Sequence, residues 1–303
     1  MATTKGISVL VKGASKRTPL TIPEQSLLFA SRGVISHVAH PLVSQMGINS
    51  QVSEPLSVLD LACGTGIVTD LVQKCVQREV LERSRFRAVD ASEGMVAITR
   101  KRVELEGWVN VDTEVMDAKT LRFPDSSFTH VAAALALHMI PEPDVVVQEC
   151  IRVLQPGGIF GATTFAAANS TQWFVRDLDT AFASLPIQVP RLVSIPMQMH
   201  NDGDWTDAKW IESHLTKLGL QDVIARESPG SYRFESAEDW MTTFEGMMNW
   251  MMSVKWDEET RKKMPAAEVK AKVLHHLREK YNEGGWDVDW TTIVMTGRVP
   301  ERK

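Results

Sequence analysis

Between Val58 and Gly66 the chain reads VLDLACGTG, an apolar strand-like run that ends on Gly64 and Gly66. Glycine at such a turn lets the backbone approach a ligand and swing into a helix whose N-terminus favours anionic groups. A dinucleotide fingerprint needs a third glycine at position 69, which is Thr69, and no Gly-Lys-Ser/Thr follows to clamp a phosphate. By itself the loop fits any tight strand-to-helix turn. Two further acidic groups narrow the chemistry. Asp90 closes the run FRAVD, where a carboxylate can take both hydroxyls of a ribose. Asp117-Ala118 follows VDTEVM and suits an exocyclic amine beside a flat adenine face. Singly, each aspartate fits a helix cap or a turn. Together with the loop, at the ends of three successive strands, they read as a nucleoside site without phosphates.

The elements that must position these groups alternate between short apolar runs and helix-length segments. Strands are expected at Ser57–Leu61, Phe86–Asp90, Val111–Met116, His130–Leu137 and Ile159–Thr164. Helices are expected at Ile67 to about Arg83, at Ser92–Glu106 with Ser92 as N-cap and Gly107 as stop, and at Asp144–Leu154. Strands separated by helices imply crossovers, hence an α/β fold with a doubly wound, mostly parallel sheet. Beyond residue 168 the pattern loosens. A helix over Lys209–Leu218 and a short strand over Gln221–Arg226 return to the core. Residues 235–282 read as mostly helical, and Trp290–Val299 reads as a late strand able to insert antiparallel. The reading is one domain over 1–303. Its core covers about 50–168, 204–230 and 285–300, under a mostly helical cap from 1–45, 169–203 and 231–284.

Composition removes several classes of function. The 303 residues are 44% apolar and 23% charged, as in an ordinary globular protein. With 33 basic against 38 acidic residues the net charge is −5, which argues against a nucleic-acid partner. Cys63, Cys75 and Cys150 form no CxxC pair, and no HxH or HxxxH spacing occurs, so no metal is expected. Lys5, Lys12 and Lys16 interrupt the N-terminal apolar residues, unlike a signal peptide, and Val131–Ile140 is about half a bilayer span. A cytoplasmic location without membrane contact is the expectation.

The combined motifs resemble those of the class I S-adenosylmethionine-dependent methyltransferases. The matching stretches are VLDLACGTG (58–66), AVDASEGMV (88–96), VMDA (115–118) and ECIRVLQPGG (149–158). The VDAS-x-GM wording and LALHMIPEPD are similar to the UbiE-like branch. SEGMVAITRKRVELEGWVN (92–110) and WIESHLTKLGLQDV (210–223) resemble fungal natural-product methyltransferases such as the gliotoxin thiol methyltransferase. The resemblance implies a Rossmann-like seven-stranded sheet that binds S-adenosyl-L-methionine and releases S-adenosyl-L-homocysteine. It assigns Gly64 and Gly66 to the methionine portion, Asp90 to the ribose, Ala91 and Met95 to the adenine surroundings, and Asp117 with Ala118 to the adenine itself. Asp60 would organise the loop, and Leu135 would also border the cofactor. Ala62 stands where many members have glycine.

Methyl transfer from a sulfonium is an in-line displacement that relies mainly on positioning. A hydroxyl or ammonium acceptor also needs a base, a thiol less so. His138, after the fourth strand, is the base candidate, with packing as the alternative. His200, His37 and His40 are weaker candidates, and His275-His276 read as surface. Residues 240–252 hold five methionines, two tryptophans and a phenylalanine, more than one helix face can bury. They form either a core helix or a lid that moulds around an apolar acceptor. Phe244 and Met248 of this segment, with Phe29, Trp173, Phe174, Met197 and His200, make the expected acceptor pocket. The function expected is methylation of an apolar secondary-metabolite acceptor, with a thiol ahead of oxygen or nitrogen. The alternatives are a non-methylating reaction, pericyclic or elimination, on the same fold, or a non-catalytic partner. Monomer and homodimer remain equally open.

Overall fold

The computed structural model describes residues 33–167, 173–190 and 198–301. Seven strands form one sheet in the order β3-β2-β1-β4-β5-β7-β6. They are β1 (Ser57–Leu61), β2 (Arg85–Asp90), β3 (Val111–Val115), β4 (Phe128–Ala134), β5 (Leu154–Phe165), β6 (Gln221–Phe234) and β7 (Trp286–Arg298). β1 to β5 pair in parallel, so their carboxyl ends share one edge. β7 enters antiparallel between β5 and β6, as the late strand was expected to do.

The helices are α1 (Val34–Gln45), α2 (Ile67–Cys75), α3 (Arg78–Leu81), α4 (Glu93–Glu106) and α5 (Pro143–Val153). They continue with α6 (Trp173–Ala183), α7 (Ala208–Lys217), α8 (Ala237–Lys255), α9 (Glu258–Lys263) and α10 (Ala266–Lys280). The two-residue period of the strands divides the core between the faces of the sheet. Leu59, Leu61, Phe160, Ala162 and Met295 pack with Val147, Cys150 and Leu215 of α5 and α7. Val58, Ala132 and Val294 pack on the other side with Leu42, Val43, Val68 and Val72 of α1 and α2. A third cluster, formed by α6, α8 and α10, is the cap.

Several boundaries differ from the sequence reading, each for a local reason. The helix expected to run from Ile67 to Arg83 breaks at Val76, which is extended at φ −92°, ψ 141°. α1, expected in the cap, instead lies along the sheet. Gly161 permits this, because a Cβ there would stand 2.6 Å from Met46 Sδ and 2.9 Å from Leu42 Cδ1. Only the start of α1, at Val34 and Val38, joins the cap cluster. β6, expected over Gln221–Arg226, runs on through Pro229 and Gly230 to Phe234. Proline is tolerated on an edge strand, and β6 is one. Gly230 faces Trp290 across the pair, and any Cβ on it would be 2.5 Å from the indole. The β6–β7 pair therefore extends past the end of β5, where Phe165 pairs Thr292. This extension carries Phe234, Trp286, Val288 and Trp290 into the cap core.

Candidate functional site

The crevice lies at the carboxyl ends of β1, β2 and β4. After β1 the chain turns through Ala62 (φ 52°), Gly64 (φ 55°) and Gly66 (φ 80°) before α2. The two glycines serve different ends. At Gly66 a Cβ would meet Thr99 Cγ2 at 2.9 Å and the Trp108 ring at 3.1 Å, so glycine lets the loop close on α4. At Gly64 a Cβ would meet nothing within 4 Å, so this side of the loop is open for a ligand to approach.

Carboxylates fix the loop from two sides. Asp60, buried in β1, accepts from Thr69 N–H at 3.0 Å and Thr69 Oγ1 at 2.7 Å. Burial lifts its pKa to about 7 against those two hydrogen bonds, and the charge of Asp90 adds to the lift. Asp90, at the end of β2, accepts from Gly64 N–H through Oδ2 and from Ser92 N–H through Oδ1, both at 2.9 Å. Burial raises its pKa as well. Each oxygen has taken one backbone donor and keeps a lone pair for a hydroxyl. Ala91 is exposed beside it, and Met95, in the first turn of α4, is half-buried. Asp117 is exposed, with Oδ1 accepting from Lys119 N–H at 2.9 Å, and Ala118 is buried beside it. This donor and acceptor set fits a nucleoside whose amino-acid end lies on the Gly64 side of the loop.

β4 ends next to β1, and Leu135 leaves it with φ 52°, its N–H bound to Thr163 O and Oγ1 at 3.0 Å each. Leu135 is half-buried and packs against the cap cluster, joining crevice to cap. His138 follows, buried at 4% exposure, its ring edge-on to Phe165 at 5.4 Å. Burial, with His200 nearby, lowers its pKa to about 4. Its Nδ1 has no hydrogen-bond partner among the described residues. A neutral imidazole with a buried, uncommitted nitrogen can accept a proton.

His200 is a correction to the pocket reading. Its Nε2 meets Leu137 O at 2.8 Å and its Nδ1 accepts from Asp202 N–H at 3.2 Å, so both nitrogens are engaged. Met199 N–H donates to His138 O at 2.7 Å, and Glu142 N–H to Asp202 Oδ2 at 3.1 Å. His200 thus clamps the loop that bears His138 and does not line a wall. Met248, fully enclosed in the cap core, is a packing residue too, and Phe244 packs with Trp240 at 5.1 Å. Trp173 and Phe174 begin α6; their side chains, and Phe29 and Met197 altogether, lie outside the described residues. His37 and His40 are exposed on α1. Among the described residues no group of three or more His, Cys, Asp or Glu is placed to hold a metal.

Sequence reasoning missed the supports of the loop, Thr99, Arg102 and Trp108, and the aromatic residues Tyr232, Trp286 and Trp290 of the β6–β7 pair. The signal for Trp108 was present, a tryptophan directly after the helix stop at Gly107. Nothing local marks Arg102 as buried.

Residues 58–158 match the methyltransferase domain family. Methyltransferase tpcH of Aspergillus fumigatus is 26% identical over 265 residues, spanning 86% of this chain and 91% of that protein. The acetylaranotin bis-thiomethyltransferase of Aspergillus terreus is 32% identical over 154 residues, about half of each chain (50% and 49%). Among solved structures, YcgJ of Bacillus subtilis shares the fold at a TM-score of 0.50 and 16% identity, covering 87% of this chain and 99% of that one. The domain match, the sheet order and the methyltransferase relatives agree: over residues 58–158 the chain carries a methyltransferase domain, similar to those of the class I S-adenosylmethionine-dependent methyltransferases.

Proposed function

We propose that this methyltransferase binds S-adenosylmethionine across the β1–β2–β3 edge and methylates an apolar small molecule of secondary metabolism, a thiol ahead of a hydroxyl or amine. The observation that carries the cofactor placement is the paired glycines, Gly66 closed on Trp108 and Gly64 open, beside a carboxylate that has spent one lone pair per oxygen. In this placement Asp90 holds the ribose hydroxyls, Asp117 accepts from the adenine amine, and Ala91, Met95 and Ala118 flank the ring. Gly64 and Gly66 border the methionine portion, with Asp60 and Ala62 shaping the turn and Leu135 closing the far side. When bound, the cofactor supplies an electrophilic methyl group on a sulfonium.

The remaining work falls to the protein: aligning the acceptor in line with that methyl and excluding water. Support for an apolar acceptor comes from the cap, whose cluster of Phe234, Trp240, Phe244, Trp286 and Trp290 has the half-buried Leu135 packed against it. Support for a thiol comes from the likeness to a bis-thiomethyltransferase over half the chain. A thiolate forms near neutral pH and needs little help. For a hydroxyl or ammonium acceptor, His138 takes the proton at its free ring nitrogen. The cytoplasm suits a chain in which, among the described residues, no helix is long and apolar enough to cross a membrane.

The test is mass spectrometry with methyl-labelled S-adenosylmethionine against a panel of apolar thiols, phenols, carboxylic acids and amines. Label on thiols supports the reading, and label only on phenols or amines replaces the acceptor class. Binding of the cofactor with no labelled product from any class would favour a non-methylating reaction on this fold.

A further inference from the structure

Behind the glycine loop lies a charged cluster that cofactor contact does not require. Arg102, on α4, is buried at 1% exposure. Its Nε donates to Glu106 Oε1 at 2.6 Å and its Nη2 lies 3.1 Å from Asp70 Oδ2 on α2. Its Nη1 donates to the Thr65 carbonyl at 2.8 Å. The guanidinium carbon stands 4.7 Å from the centre of the Trp108 ring, the same ring that closes on Gly66. Lys74 binds Asp70 Oδ2 at 2.8 Å, so two cations answer two carboxylates. Charge balance is one condition under which buried charge is tolerated; both cations meet Asp70 through Oδ2, and its Oδ1 has no hydrogen-bond partner among the described residues.

The cluster reaches the loop backbone at consecutive residues. Arg102 takes the Thr65 carbonyl, and Thr99 Oγ1 donates to the Gly64 carbonyl at 2.9 Å. Both side chains come from α4, so both carbonyls are turned toward α4. The open side of the loop is the other one, at Gly64. The peptide planes that meet a ligand are thus oriented by side chains that do not touch it. A lysine at 102 would keep the charge and lose the planar fork that reaches Glu106, Asp70 and Thr65 at once.

We propose that Arg102 is a positioning residue for the amino-acid end of the cofactor: by anchoring the Thr65 carbonyl it holds the glycine loop in its receptive conformation. This rests on the cofactor placement argued above. Asp70 and Trp108 keep the guanidinium in place, and neither Arg102 nor its partners contact the nucleoside end at Asp90 and Asp117.

The experiment is calorimetric titration of the full chain with two ligands, S-adenosylhomocysteine and 5′-methylthioadenosine, which has the nucleoside and no amino acid. Arg102→Lys should weaken S-adenosylhomocysteine about tenfold or more and 5′-methylthioadenosine by less than about threefold. Asp70→Asn, which leaves the Arg102–Thr65 bond in place, should shift the same ratio in the same direction by less. Equal losses for both ligands would mean general loosening and overturn the proposal, as would an unchanged affinity for S-adenosylhomocysteine. If Arg102→Lys does not fold, the ratio in Asp70→Asn decides, an unchanged ratio counting against the proposal. A wild-type chain that binds neither ligand would overturn the cofactor placement and this proposal together.

Discussion

In the crevice Asp90 and Thr99 hold the Gly64 N–H and carbonyl of the turn, and Asp60 holds the Thr69 N–H at the start of α2, all within 3.0 Å. In the cap Trp240, Met248 and Phe182 meet their neighbours through rings and thioethers, and the indole N–H of Trp240 has no partner among the described residues. The first region is directional. Its positions are fixed by hydrogen bonds whose lengths and angles tolerate little change. The second is cohesive without direction, held by apolar area and edge-to-face rings. A cofactor that is the same in every turnover suits the first kind of surface, and an acceptor that differs between relatives suits the second. His138 and Leu135 stand on the seam, on the loop after β4.

That division is breakable. Trp240→Ala removes a fully buried ring from the cap and should cost about 3–5 kcal/mol of stability by chemical denaturation. Affinity for S-adenosylhomocysteine, measured below the melting transition, should stay within about threefold of wild type, since no crevice hydrogen bond involves the ring. A parallel collapse of affinity would show that crevice and cap are one energetic unit.

On the seam, His138→Ala should lower kcat at least about a hundredfold for a hydroxyl or amine acceptor, about 2.7 kcal/mol of barrier. A loss below tenfold at saturating cofactor would return His138 to packing. The pH profile sharpens this. With a pKa lowered to about 4, His138 is neutral through the physiological range, so its activity limb should fall only as pH drops toward 4. The same shift makes its stability contribution full above about 6.5, the unfolded value, and lost as pH falls through 4. A limb near 6.5 would place the base elsewhere.

Asp60 gives the smallest effect. Its folded pKa of about 7 lies above its usual 3.8, so the native state is favoured below about pH 4 and that advantage fades as pH rises through 7. A cationic sulfonium and ammonium arriving nearby favour its charged form. Binding of S-adenosylmethionine at pH 6.5 should therefore release a fraction of a proton, read as a dependence of binding heat on buffer ionisation enthalpy. Asp60→Asn should abolish that release.

How much of this was legible in the sequence follows the same division. The strands, the glycine loop, Asp90 and the antiparallel β7 were readable because each is encoded within about ten residues by period, glycine or strand-end position. The cap was not. Phe234 and Trp286 meet at 5.9 Å although they lie at opposite ends of a helical excursion. The strand expected over Gln221–Arg226 continues through Pro229 and Gly230, where the cross-strand partners are Thr291 and Trp290. Arg102 sits among charged neighbours in KRVELE, and its burial depends on Asp70 and Trp108 from other segments. His200 looked like a pocket histidine because its bond to Leu137 spans 63 residues.

The central claim is that the β1–β2–β3 edge is the cofactor site, and the most direct test is calorimetric titration of S-adenosylhomocysteine into wild type and Asp90→Ala. The account predicts a loss of about 1–3 kcal/mol in binding free energy, the penalty for unpairing polar groups in a half-buried site, with the melting curve of the free protein retaining a single transition. Unchanged affinity would contradict it and remove Asp90, and with it the nucleoside placement, from the site.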